Sequence, residues 1–112
     1  MAVSSNWMIH YVNAGMYEEA WKRSEEARFM NDFAQFVRKH RVALDAIAAR
    51  MQLDYLVMDC SETRDGELLL FEIDHGGVVH AMDVEGIFPY KNGHILKAKD
   101  AFCEMLYSRL DL

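Results

Sequence analysis

The chain has 112 residues, a formal net charge of −6 from 12 basic and 18 acidic side chains, and 52% hydrophobic residues with a single proline. Such a composition builds one ordinary folded domain spanning 1–112 and excludes a disordered segment. The acidic balance argues against a nucleic-acid partner, and no apolar run reaches the ~18 residues of a membrane span, so no membrane partner is expected.

The first residues, MAVSSNWM, lack the basic stretch and apolar block of a secretory signal. Cys60 in a strand and Cys103 in a helix, both among apolar neighbours and without CxxC spacing, read as reduced core residues, which predicts a cytoplasmic location. Trp7–Tyr11 (WMIHY) reads as a short strand that ends where Asn13-Ala14-Gly15 supplies turn chemistry. From Tyr17 to Met30 the sequence predicts a helix with a thin apolar stripe of Trp21, Ala27 and Met30. Such a helix is superficial or packs on something outside the chain.

A stronger helix follows. Phe33, Phe36, Val37, His40, Leu44, Ile47, Ala48 and Met51 recur at spacings of three and four, predicting one apolar stripe over about five turns with Asp32 as its N-cap. His40 falls on that stripe and reads as a core-edge histidine bonded to a carbonyl. Tyr55–Glu62 and Glu67–Asp74 then read as a hairpin turning at Arg64-Asp65-Gly66, and His75-Gly76-Gly77 ends its second strand. Val78-Val79-His80-Ala81-Met82 is strand or helix, and periodicity does not decide between them. Gly86, Pro89, Asn92 and Gly93 mark a loop before a last helix over 94–110, with Ile95, Ala98, Phe102, Met105, Leu106 and Arg109 along one side. The expected fold class is α+β, a small antiparallel sheet with helices packed on one face.

The hairpin carries the chemistry. Strand side chains alternate faces, so Leu69, Phe71 and Ile73 form an apolar face for the helices to cover, while Leu68, Leu70, Glu72 and Asp74 share the other. An even-length turn is expected, because it lays Leu56, Met58 and Cys60 beside Leu69, Phe71 and Ile73; it sets Asp59 on the uncovered face, opposite Glu72, whereas a three-residue turn would separate the two. Three acids, Asp59, Glu72 and Asp74, then cluster. They read either as a solvated strand face or as ligands for a hard divalent cation such as Mg²⁺. His10, His75 and His80 lack the helical spacing of a histidine metal motif, and Cys60 has no basic group fixed beside it by sequence. No catalytic residue is assigned.

The run LDYLVMDCSETRDGELLLFEID resembles the metal-binding end of ATP-grasp proteins, where an aspartate-bearing strand, a turn and a strand ending in Glu-x-Asn follow one another. WMIHYVNAGM, the helix EEAWKRSEEARFM and VVHAMD…FPYK extend the likeness to ATP-grasp-like domains of larger bacterial proteins, some joined to tetratricopeptide repeats. The resemblance covers nearly the whole chain but only the C-terminal lobe of that fold. It implies Mg²⁺ and ATP as cofactors, with Asp59 the first metal-ligand aspartate and Glu72 the bridging glutamate. Asp74 stands in the place of the asparagine, an oxygen ligand with an added negative charge. The implied function is the Mg-binding lobe of a carboxylate–amine or carboxylate–thiol ligase, inactive by itself, whose partner is the missing N-terminal portion with the nucleotide-cradling subdomain. The alternative is a non-catalytic protein-interaction module derived from the same fold. A homodimer through the Trp7–Tyr11 edge or the 17–30 helix is also expected.

Overall fold

The computed structural model describes residues 15–77 and 83–110. The strand expected at Trp7–Tyr11, the Val78–Met82 piece, His10 and His80 lie outside the described residues. Among the described residues four helices and one hairpin follow in chain order: α1 (Ala20–Asn31), α2 (Phe33–Lys39), α3 (Arg41–Met51), β1 (Val57–Glu62), β2 (Leu68–Asp74) and α4 (Lys91–Leu110). The class is α+β, with a two-stranded antiparallel sheet among the described residues.

The helix expected over 33–51 is broken at His40. That residue leaves helical geometry (φ −103°, ψ 14°), yet its N–H still donates to the Phe36 carbonyl and its carbonyl accepts from the Leu44 N–H. Hydrogen bonding therefore continues through the bend. No proline or glycine marks the bend, which is why periodicity does not reveal it. Asp32 sits between α1 and α2 and makes no side-chain capping bond. Gln52 ends α3 in the left-handed region (φ 52°), its N–H closing on Ala48.

Phe33, Val37, Leu44, Leu56 and Met58 form the buried cluster between helices and sheet, with Phe29, Phe36, Ile47, Leu68, Leu70 and Ile73 packed around it. This corrects the expected face of β2. Leu68, Leu70 and Ile73 turn to the core, whereas Leu69 and Phe71 are exposed, Phe71 at 67%.

The cause is two compensating irregularities in the hairpin. Its turn has three residues, Arg64-Asp65-Gly66, closed by Thr63 N–H to Glu67 O (2.8 Å) and Gly66 N–H to Thr63 O (2.9 Å). Gly66 takes φ +79°, the left-handed position that three-residue turns require. The even turn expected from the sequence is therefore not formed. Cys60 pairs with Leu70 and Asp59 with Glu72, so Phe71 is an extra residue on β2 and a bulge interrupts the alternation. An odd turn and one inserted residue together restore the pairing that an even turn would give.

Two other elements differ in orientation from expectation. On α1, Glu26 and Met30 face inward while Trp21 is exposed. On α4, Ile95 and Met105 are buried but Leu106 is exposed, and Cys103 lies at the surface rather than in the core. Cys60 is half-buried, and both cysteines are free thiols.

Candidate functional site

Asp59 and Glu72 are direct cross-strand partners, both exposed on the sheet face turned away from α2 and α3. Asp74 pairs with Val57 two residues along the same face. Its Oδ1 accepts the Gly76 N–H (2.8 Å) and lies 3.3 Å from His75 Nδ1; these contacts hold its carboxyl below the ordinary carboxylate value. Leu69 and Phe71 border the acids, so the face combines negative charge with exposed apolar surface.

Among the described residues no group of three or more His, Cys, Asp or Glu side chains could hold a metal ion. Asp74 is thus not gathered with the other two into a protein-only cage. Asp59 and Glu72 remain as a facing pair of hard oxygen donors. That set suits Mg²⁺, which commonly takes one or two carboxylates and completes its shell with water and phosphate. The two carboxylates fit the ion on those terms only.

The thiol of Cys60 does not add a nucleophile. Burial, and then the negative charge of Asp59, push its pKa up, the reverse of what a reactive thiolate needs. His75 is exposed and, apart from Asp74, has no charged partner among the described residues.

Two polar constellations lie where the sequence shows only single residues. The first joins α1 to α4: Lys91 Nζ lies 2.8 Å from Asp83 Oδ2 and 3.3 Å from Glu26 Oε1, and the Tyr90 hydroxyl donates to the same Glu26 oxygen (2.8 Å). Glu26 and Lys91 are each only 3% exposed. Burial, then the bond to Glu26, push the Tyr90 phenol far above its usual range. Glu26 Oε2 is buried without a hydrogen-bond partner among the described residues. In sequence Glu26 looks like a surface acid of a charged helix; only its i, i+4 relation to Met30 hints at the inward side.

The second constellation ties the helical layer to β1. His40, buried against the Phe36 ring, places Nε2 2.6 Å from Glu62 Oε1, and Lys39 Nζ donates to Glu62 Oε2 (2.9 Å). His40 is a core-edge histidine as expected, but its side-chain partner is a carboxylate rather than a carbonyl. The bond to His40, followed by that to Lys39, holds the Glu62 carboxyl below its ordinary value of 4.5. A depressed folded-state pKa adds stability above the unfolded value and loses it as pH falls through the folded one. Glu62→Gln is expected to lose about 1 kcal/mol at neutral pH, discounted for the exposure of the carboxylate. The deficit should shrink as the pH is lowered below 4.5, measured by urea denaturation of both proteins across the acid range. A constant deficit down to strongly acid pH would refute the pairing as its source.

Comparison with known proteins finds no match to the chain, whether among protein-family models, curated proteins or solved structures.

Proposed function

We propose that this chain is the Mg²⁺-binding C-terminal lobe of an ATP-grasp-like protein of the carboxylate–amine or carboxylate–thiol ligase type. The observation that carries the reading is the Asp59–Glu72 pairing on the exposed sheet face, maintained across a three-residue turn by the bulge at Phe71. Like charges set directly opposite on a sheet repel. A cation between them would remove that repulsion, which supports the metal reading.

In this reading Asp59 and Glu72 hold the ion from adjacent strands, each fixed by the packing of its neighbours Met58 and Ile73 on the core face. Bound Mg²⁺ supplies neutralisation of phosphate charge during phosphoryl transfer. Asp74 contributes negative charge at the strand end, with one oxygen already engaged by the Gly76 N–H. The likeness extends only to one lobe of the ATP-grasp fold, so the chain by itself is expected to bind Mg²⁺·ATP weakly and to turn over no substrate.

Calorimetric titration of Mg²⁺·ATP into the chain tests this. Weak binding to the wild type and a loss of about tenfold or more with Glu72→Gln or Asp59→Asn is expected. Equal binding by all three proteins removes the metal role. One observation favours a second reading, a non-catalytic interaction module: Leu69 and Phe71, 44% and 67% exposed, lie beside the acids. Under that reading Mg²⁺·ATP has no effect and a Phe71→Ser change abolishes partner capture.

A further inference from the structure

The end of β2 is clamped from outside the acid pair. The Tyr55 hydroxyl donates to the Gly77 carbonyl (2.6 Å). Its ring is backed by α4, where Phe102 meets it edge-on at 5.3 Å. Burial, and then the charge of Asp74, push the phenol up, so the hydroxyl stays a donor. Gly77 also lies against Val57, the residue paired with Asp74: a Cβ built at Gly77 would come within 2.4 Å of Val57 Cγ2. Only glycine permits that approach. Residues 75–77 are thus pinned to the start of β1 twice, by a hydrogen bond and by a contact no larger residue can make.

The pinned segment fixes Asp74 in turn. The Gly76 N–H, one residue before the clamp, donates to Asp74 Oδ1 (2.8 Å), an Asx turn that folds the carboxylate over its own strand end. Asp74 follows Glu72 by two positions on the same face, roughly 7 Å along the strand. Even so, Asp59, Glu72 and Asp74 do not gather into a group able to hold an ion. A third carboxylate would change which cation the face prefers. Ca²⁺ collects about six to eight oxygens and takes carboxylates readily, whereas Mg²⁺ keeps few of them and completes its octahedron with water and phosphate.

We propose that Tyr55 is a specificity-determining positioning residue: acting through Gly77 and Gly76, it holds Asp74 away from Asp59 and Glu72, leaving an open pair suited to phosphate-bound Mg²⁺ and poor for bare Ca²⁺. The inference rests on the reading of Asp59 and Glu72 as metal ligands. The test is calorimetric titration of CaCl₂ and of Mg²⁺·ATP into the intact chain, with hydrogen exchange of the Gly76 amide followed by NMR. Tyr55→Phe removes only the hydroxyl and keeps the ring against Phe102. Gly76 exchange should quicken about fivefold and Ca²⁺ affinity rise about tenfold, with no gain for Mg²⁺·ATP. Gly77→Ala displaces the same segment without touching Tyr55 and should reproduce the gain in Ca²⁺ affinity. Tyr55→Phe/Asp74→Asn should return to the wild-type Ca²⁺ affinity, because the released carboxylate is gone. Unchanged Gly76 exchange, unchanged Ca²⁺ affinity in Tyr55→Phe, or a gain that survives Asp74→Asn overturns the proposal. Equal Mg²⁺·ATP binding by the wild type and Glu72→Gln is a separate failure, which removes the metal reading itself and this role with it.

Discussion

Lys91→Ala is expected to destabilise the chain by about 3–5 kcal/mol, the usual result of removing one member of a buried ion pair. Lys91 is the only cation touching Glu26 and Asp83 among the described residues, and Glu26 is 3% exposed with one oxygen already lacking a partner. Without the ammonium, Glu26 keeps only the Tyr90 hydroxyl and must be protonated or hydrated inside the fold. A domain of this size is stable by roughly 5–15 kcal/mol, so the variant should melt far below the wild type. Thermal and urea denaturation followed by circular dichroism measure the loss. The double variant Glu26→Leu/Lys91→Met removes both buried charges and should lose less than Lys91→Ala alone, because the stranded carboxylate is gone. If the double variant is the less stable of the two, the network stabilises by direct attraction and not by mutual neutralisation.

Phe88→Ala is expected to cost about 3–5 kcal/mol through the lost transfer of a large ring and the cavity left behind. Phe88 is 1% exposed, its ring meets Tyr17 edge-on at 5.1 Å, and the Lys91 ammonium sits 4.4 Å from the ring centroid. The 84–91 segment is thereby pinned to the residues before α1, which Arg23 also holds by donating to the Met16 and Tyr17 carbonyls. Truncation should lower the urea midpoint without altering the slope of the transition. Phe71→Ala serves as the internal contrast: the same deletion at an exposed position should change stability by no more than about 0.5 kcal/mol. Comparable losses at both sites would contradict the assignment of Phe88 to the core and Phe71 to the open face. Because Phe88 and Lys91 touch, their losses are not expected to add.

Among the described residues the amino-acid sequence by itself located the helices and the hairpin, because those follow from local periodicity and turn residues, although Asn92 and Gly93, read as loop, lie in the first turn of α4. The 3.6-residue recurrence from Phe33 to Met51 and the apolar runs on either side of Arg64-Asp65-Gly66 are local signals: the first folds as helix, though in two pieces that part at His40, and the second as a hairpin. It also placed Asp59 opposite Glu72, though by the wrong route. The expected even turn is a three-residue one, and the extra residue at Phe71 cancels its effect. A bulge leaves no composition signal, since Leu68-Leu69-Leu70-Phe71 is apolar throughout and fits either alternation. Which of those side chains are buried was settled only when the helices chose a face, by the area that Leu68, Leu70 and Ile73 bury against Phe33, Val37 and Leu44.

Long-range partners were likewise invisible. Glu26 and Lys91 stand 65 positions apart in the chain, and each looks like an ordinary surface charge until α1 and α4 are brought together. His40 was legible as an inward residue, but its partner Glu62 lies 22 positions away on β1. Local propensity acts over a few residues, whereas burial of a charge or a bulged leucine run is decided by whichever packing leaves the fewest polar groups unmatched. For that reason the sequence could specify the hairpin and its acids, and only the tertiary structure could decide which of its faces is open.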